Sequence, residues 1–349
     1  MSRVTKQEAL RLLKDSPLLE LGEKAYEVKK KLHPENITTF IVDRNINYTN
    51  ICVAGCKFCA FKRGLHDEDG YVLDFETISK KIDELVAIGG TQILFQGGVH
   101  PKLLIEYYEE LVSFIHIKYP TITIHGFSAA ELAYISKISG ISKKETLKRL
   151  QAKGLSSIPG AGAEILVDRV RNIISPNKLD SEGWLDIHRT AHSIGMRTTA
   201  TMMFGSVETD EEIVEHLERL RELQDETGGF RAFILWSFQP DNTPLFKEYS
   251  NITKASSNRY LRILALSRIY LDNFKNIQSS WVTQGSHIGQ TALFFGANDM
   301  GSTMMEENVV AAAGAANKMA EDEILRLIQD AGEIAAKRNT AYEILKVYK

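Results

Sequence analysis

Cysteine is scarce in this chain. There are three in 349 residues, an odd number, and with no secretion signal read at the start they make no disulfide framework. A long apolar run is missing too: nothing approaches the ~20 residues of a helical membrane span, so no membrane partner is expected. Charge of one sign is also lacking. The net charge of −3 and pI near 6.3 give no electrostatic case for nucleic acid or an anionic membrane. No G-x-G-x-x-G follows the first expected strand, which speaks against a doubly wound dinucleotide-binding sheet. Repeats of solenoid period and low-complexity segments are absent as well. These absences leave a globular chain with reduced thiols, expected in the cytoplasm.

What the chain has is alternation. Residues 5–33 read as two helices, with Leu21, Ala25, Val28 and Leu32 on one face. From about residue 38, short β-rich runs alternate with amphipathic helices. The runs are TTFIVDRNINYTN, TQILFQGG, TITIHGF, SSIPGAGA, RTTATMMFG, FRAFILW, IQSSWV and ALFFGA. Between them lie helices such as ISKKIDELVAIGG, with Ile78, Ile82, Leu85 and Val86 on one side, and SEGWLDIHRTAHSIG, with Trp184, Ile187, Ala191 and Ile194 in phase. DEEIVEHLERLRELQ opens on a capping box of Thr209 with Glu212 and stops before Gly228 and Gly229. Alternation of this kind gives parallel strands. The expected class is α/β, a (β/α)8 TIM-type barrel. N-terminal helices over 1–36 precede a barrel over 37–316, and a C-terminal helical extension over 317–349 follows.

The three cysteines stand together. Cys52, Cys56 and Cys59 form a C-x3-C-x2-C run in NYTNICVAGCKFCAFKRG, directly after the first expected strand. Asn47, Thr49 and Asn50 mark that strand's polar exit, and loops after barrel strands build the active face. Gly55 permits a sharp bend between ligands. Three thiolates at this spacing suit three corners of a cuboidal 4Fe–4S cluster, and no cysteine is left for the fourth. An iron with an open site can bind and reduce a small molecule. A zinc site is the alternative, completed by His66 or His100, although structural zinc commonly takes two separated pairs. Three buried free cysteines are the plainer alternative, but Lys57, Lys62 and Arg63 beside them make a poor core.

With Phe58 before the last cysteine, this run resembles the radical S-adenosylmethionine superfamily. The resemblance implies two cofactors, a 4Fe–4S cluster and S-adenosylmethionine, whose methionine end chelates the open iron. It implies reductive cleavage to a 5′-deoxyadenosyl radical, with the backbone near Phe58 against adenine. Over roughly residues 36–310, DRNINYTN, ILFQGGVHP, SIPGAGAEILVDRVR, RTTATMMFG and LRELQDETGGFRAFILWSFQPDNT resemble the futalosine-pathway enzymes of menaquinone biosynthesis. TATMMFG and the FQ of ILFQGG favour the branch that cyclises dehypoxanthine futalosine over the aminofutalosine synthase branch. The resemblance thus implies hydrogen abstraction from the 4′ carbon, addition to the benzoate ring, and loss of an electron and a proton. The implied partners are this small-molecule substrate and an external electron donor such as flavodoxin or ferredoxin.

Other site residues follow from these readings. Gly97 and Gly98 let a cofactor lie against backbone. Many members of the superfamily carry Gly-Gly-Glu here, the glutamate receiving the methionine ammonium; this chain has Val99. Glu164 in PGAGAEI is the expected substitute, with Glu131 second. A carboxylate accepts strong charge-assisted bonds from an ammonium, although either glutamate could equally be a solvated charge at a helix start. His100 and Glu131 are candidate bases. Trp236 and Gln239 after the sixth strand, with Tyr71, are candidate substrate contacts, and Phe238, Asp241 and Asn242 stand beside them. His188 and His192, four apart, lack the glutamate of H-E-x-x-H, and packing or a surface position is the expected role.

Overall fold

The computed structural model describes residues 3–314 and 317–348. The two N-terminal helices form, as Lys6–Asp15 and Leu18–Leu32. The strands are β1 (Ile37–Ile41), β2 (Asp43–Ile46), β3 (Gln92–Phe95), β4 (Thr123–Gly126), β5 (Leu155–Ser157) and β6 (Thr198–Phe204). They continue with β7 (Phe230–Ser237), β8 (Asn276–Gln278), β9 (Asp299–Ser302), β10 (Ile334–Arg338) and β11 (Ile344–Tyr348).

β1 and β2 are two halves of one strand that meet at Val42. The first half pairs with β9 and the second with β3, both parallel. The parallel ladder runs on through β4 to β5 and crosses to β6 at the Ile158–Thr198 bridge. It continues through β7 and β8 to β9. The ring therefore closes as a (β/α)8 barrel.

Helices cover the outside because each carries one apolar stripe. Phe75–Ala87 starts on Asp74, whose side chain accepts from the Thr77 N–H, and buries Ile78, Ile82 and Leu85. Val86, expected on the same face, is exposed; it stands about 100° round the helix from Leu85. The Thr209–Glu212 capping box opens Asp210–Thr227, and Gly228 closes it in the left-handed conformation. The core lies in the shell between strands and helices, where Ile93, Phe95 and Ile124 are fully buried. Inward positions differ. A TIM barrel normally fills its lumen with branched aliphatic side chains. Here Asp43, Asn45, Gln92, His125, Thr199 and Gln278 line the lumen, and a cavity of about 380 Å³ remains.

Two expectations are corrected. ALFFGA is not the eighth strand: Ala292–Phe295 is a 3-10 turn stopped by Gly296 at φ +101°. A short apolar run reads the same as strand or buried turn. The true eighth strand, β9, reads Asp-Met-Gly-Ser and shows no strand pattern. The C-terminal extension is not all helix. Glu321–Asp330 is helical, but β10 and β11 form an antiparallel hairpin beyond it. Ala, Lys and Glu in GEIAAKRNTAYEIL suggest helix locally. The parallel pairing of β10 with β1, Ile37 opposite Ile334, overrides that preference. The expected boundary at 316 lies outside the described residues.

Candidate active site

The cysteine loop follows β2 and is tied down by its backbone. Cys52 N–H donates to Arg63 O at 2.9 Å, Val53 N–H to Val99 O at 3.0 Å, and Lys57 N–H to Ile174 O at 2.8 Å. Gly55 turns at φ +65°. All three cysteines line the cavity, Cys56 buried and the others half-buried. Burial pushes the Cys56 thiol up to about 12, against the pull of the Lys178 ammonium nearby.

Gly97 and Gly98 line the same cavity, but their immediate use is loop packing. A Cβ at Gly98 would lie 2.1 Å from the Ile51 carbonyl oxygen, and one at Gly97 would lie 2.7 Å from the Tyr48 ring. Gly98 N–H also donates to Thr49 O at 2.8 Å. The glycines thus bring the loop after β3 directly against the start of the cysteine loop. Val99 packs with Ala54, Cys56 and Ala130 and offers no charge.

Glu131 lines the cavity, yet its carboxylate is already engaged. It sits in the first turn of Ala129–Ser139 in a capping box with Ser128. It accepts from Tyr48 Oη at 2.7 Å, Gly97 N–H at 3.0 Å and Ser128 N–H at 2.7 Å. Burial raises its pKa against these bonds. Its visible work is to hold the Gly97 backbone.

Glu164 has a different setting. It stands at φ +43° in the loop after β5, 4% exposed. Oε1 accepts from Lys178 Nζ at 2.9 Å, and Oε2 lies 3.5 Å from Arg171 Nη1. Oε2 has no hydrogen-bond donor among the described residues. Arg171 staples this loop by donating to Gly162 O, Ala163 O and Leu179 O. Lys178 Nζ also lies 5.1 Å from the centroid of the Phe58 ring, and Phe58, Glu164 and Lys178 all line the cavity. An anion and a cation therefore stand side by side next to the cysteines.

Several candidates sit elsewhere. His100 is buried, its Nδ1 accepts from Lys102 N–H at 3.2 Å, and it is not among the cavity-lining residues. His66 is exposed. Among the described residues no group of three or more His, Cys, Asp or Glu is arranged to hold a single metal ion. A cuboidal cluster takes its thiolates on separate irons, further apart than the ligands of one ion, so the donor set fits the cluster better than zinc. Trp236 lines the cavity from β7. Gln239 folds back, donating to Ser237 O at 3.0 Å, and Phe238 is buried in the main core. Tyr71 Oη donates to Asn47 O at 3.2 Å. Neither Gln239 nor Tyr71 lines the cavity. His188 stacks 3.9 Å from Trp184, and His188 and His192 both bond Thr198; they are packing residues, as expected.

The structure adds residues that sequence reasoning missed. Lys178 and Arg171 are two. His125 is another: burial pushes it down to about 3, so it is neutral, with Nδ1 2.6 Å from Ser157 Oγ. Glu307 and Asn45 also line the cavity. One signal was available, since Asp43, Asn45 and Asn47 put a polar residue at every second position of the first strand.

Residues 46–220 match the family described as the Radical SAM superfamily, and residues 227–349 match the CofH/MqnC C-terminal region. The chain is 45% identical over 347 residues to the cyclic dehypoxanthine futalosine synthase of Halalkalibacterium halodurans, covering 99% of this chain and 93% of that one. It is 41% identical to the 5-amino-6-(D-ribitylamino)uracil–L-tyrosine 4-hydroxyphenyl transferase of Methanococcoides burtonii, covering 98% and 96%. It is 38% identical to the aminodeoxyfutalosine synthase of Thermus thermophilus, covering 99% and 93%. Among solved structures, the FeFe-hydrogenase maturase HydG of Carboxydothermus hydrogenoformans superposes with a TM-score of 0.78 at 18% identity, covering 98% of this chain and 78% of that one. At that identity the likeness is one of fold.

Proposed function

The chain belongs to the radical S-adenosylmethionine superfamily, and from that premise we propose that it cyclises dehypoxanthine futalosine in menaquinone biosynthesis. The observation that carries this reading is the end-to-end likeness to cyclic dehypoxanthine futalosine synthase, stronger than to the other two relatives described. Membership makes the protein an enzyme that uses a 4Fe–4S cluster and S-adenosylmethionine. When bound, these supply a 5′-deoxyadenosyl radical.

The chain's own residues do the rest. Cys52, Cys56 and Cys59 would hold the cluster. Glu164 takes the methionine ammonium in place of the missing glutamate at Val99, and Lys178 beside it takes the carboxylate; opposite charges so close suit the two ends of an amino acid. Phe58 and the Gly97–Gly98 backbone border the adenosine. Glu131 acts indirectly, by fixing Gly97. Trp236 gives an apolar wall for the benzoate ring. The barrel walls around the cavity limit the access of water to a reactive carbon radical. Ring closure needs removal of a hydrogen atom from the substrate's sugar-derived part by the 5′-deoxyadenosyl radical, which leaves as 5′-deoxyadenosine, bonding of that carbon to the aromatic ring, then loss of a proton and of an electron that the oxidised cluster would take back. An external carrier of flavodoxin or ferredoxin type supplies the starting electron.

The test is anaerobic incubation of the cluster-loaded enzyme with S-adenosylmethionine, a reductant and, separately, each candidate substrate. A product two hydrogens lighter than dehypoxanthine futalosine supports the reading. Turnover only with the enolpyruvyl benzoate would make it an aminofutalosine synthase instead.

A further inference from the structure

We propose that Asn45 and Glu307 form the subsite that receives the hydroxyl groups of the substrate's sugar-derived ring. The inference rests on the functional reading above and deepens it by orienting the substrate.

Both residues line the cavity, Asn45 from β2 and Glu307 from the segment after β9. They touch: Asn45 Nδ2 donates to Glu307 Oε2 at 3.0 Å. Glu307 Oε1 accepts from the Val309 and Val310 N–H groups, each at 2.8 Å. The carboxylate is therefore fixed by three donors and cannot swing away. Asn45 is 3% exposed, and its Oδ1 has no hydrogen-bond partner among the described residues. Buried acceptors without a donor are rare in folded proteins, and the residue that carries this one lines a cavity. Its missing partner must carry an O–H or N–H.

The pair's chemistry selects the ligand. An amide oxygen and a carboxylate are both acceptors, so this wall takes hydroxyl groups and turns away another carboxylate. The benzoate end of the substrate is an anion and must lie elsewhere. That orients the hydroxylated ring toward the β2 and β9 wall. Asn47 and Thr49 lead from the end of β2 into the cysteine loop, and Asn308 Nδ2 donates to Asn47 Oδ1 at 3.1 Å. The ring that must lose a hydrogen atom is thus held on the strand that carries the cluster loop.

The test is equilibrium binding to the oxidised, cluster-loaded enzyme with S-adenosylmethionine and no reductant, so that nothing turns over. The two probes are dehypoxanthine futalosine and 3-propanoylbenzoate, an aromatic acid of the same type without the hydroxylated ring. Asn45→Leu and Glu307→Gln should each weaken binding of the full compound by about 10-fold or more. Binding of the fragment should stay unchanged, which also shows that the variants are folded. Unchanged affinity for the full compound in both variants overturns the inference, as does equal weakening of both probes. If wild-type enzyme fails to bind dehypoxanthine futalosine at all, the functional reading falls and the inference with it.

Discussion

Glu164 and Asp43 show how single buried carboxylates in one cavity come to differ. Glu164 has cations beside it, with Lys178 at 2.9 Å and Arg171 at 3.5 Å. Glu164→Gln removes the charge that an ammonium would meet, and S-adenosylmethionine affinity should fall about 10-fold, the scale of a hydrogen bond between charged groups. Titration calorimetry on cluster-loaded protein checks this; an unchanged affinity would move the contact to Gln96, since Glu131 is already engaged. Asp43 makes no direct ion pair among the described residues, and Arg338 acts on it only from further off. Burial pushes its carboxyl up to about 6, despite bonds from Ser302 and Gln92, against about 3.9 in an unfolded chain. The folded protein therefore binds this proton more tightly than the unfolded chain does. That contribution to stability is full below about pH 4 and is lost as the pH rises through 6. Asp43→Asn should thus gain about 2 to 3 kcal/mol on the wild type between pH 4 and pH 7. Denaturant midpoints of both proteins at the two pH values measure it, and a constant difference would count against it.

At the scale of elements, the C-terminal hairpin closes the base of the barrel. β10 pairs with β1, and Arg338 at its end carries a guanidinium that grips Asp299 of β9, Nη2 to Oδ1 at 3.0 Å. Both side chains are buried, 5% and 0% exposed. Lys29 from the second N-terminal helix pairs with buried Glu333 just before the hairpin. Removing one partner of a buried pair leaves an uncompensated charge, so Arg338→Ala should destabilise the protein by about 3–5 kcal/mol. Arg338→Met combined with Asp299→Asn should recover much of that loss, because the pair's desolvation is then avoided. If chemical denaturation finds the double variant as unstable as the single one, the pair is not what holds the hairpin.

For the whole molecule, binding and folding are carried by separate parts. The main core fills the shell between barrel and helices, while the cysteine loop belongs to a small cluster of Ala54, Cys56, Val99 and Ala130. The fold therefore does not depend on the metal as a zinc finger does. Replacing all three cysteines with alanine should abolish iron uptake, normally about four per chain, yet shift the thermal midpoint by no more than about 4 °C. Iron analysis with circular dichroism on one preparation tests both halves. A molten variant would tie the fold to the cluster.

The cysteine loop was legible because three ligands sit in one short stretch, and local spacing alone limits what they can hold. The barrel was legible for a similar reason: strand and helix periods are local properties, and their alternation restricts the topology. Where local pattern misled, distant pairing had decided. ALFFGA carries a strand's composition but turns, while β9 is made a strand by its neighbours. The C-terminal hairpin obeys β1, almost 300 positions earlier in the chain. The site divides in the same way. Glu164 could be picked out beside small residues, but that Lys178 stands against it, and that Glu131 is engaged by Tyr48 and Gly97, required the folded chain. Asn45 and Glu307 lie 262 positions apart, and only closure of the ring between β9 and the first strand brings them into contact. The sequence by itself determined which chemistry this protein can hold. The tertiary structure decided which polar groups beside the cavity are already satisfied and which are left unpaired, because hydrogen-bond partners in a closed barrel come from strands far apart in the chain.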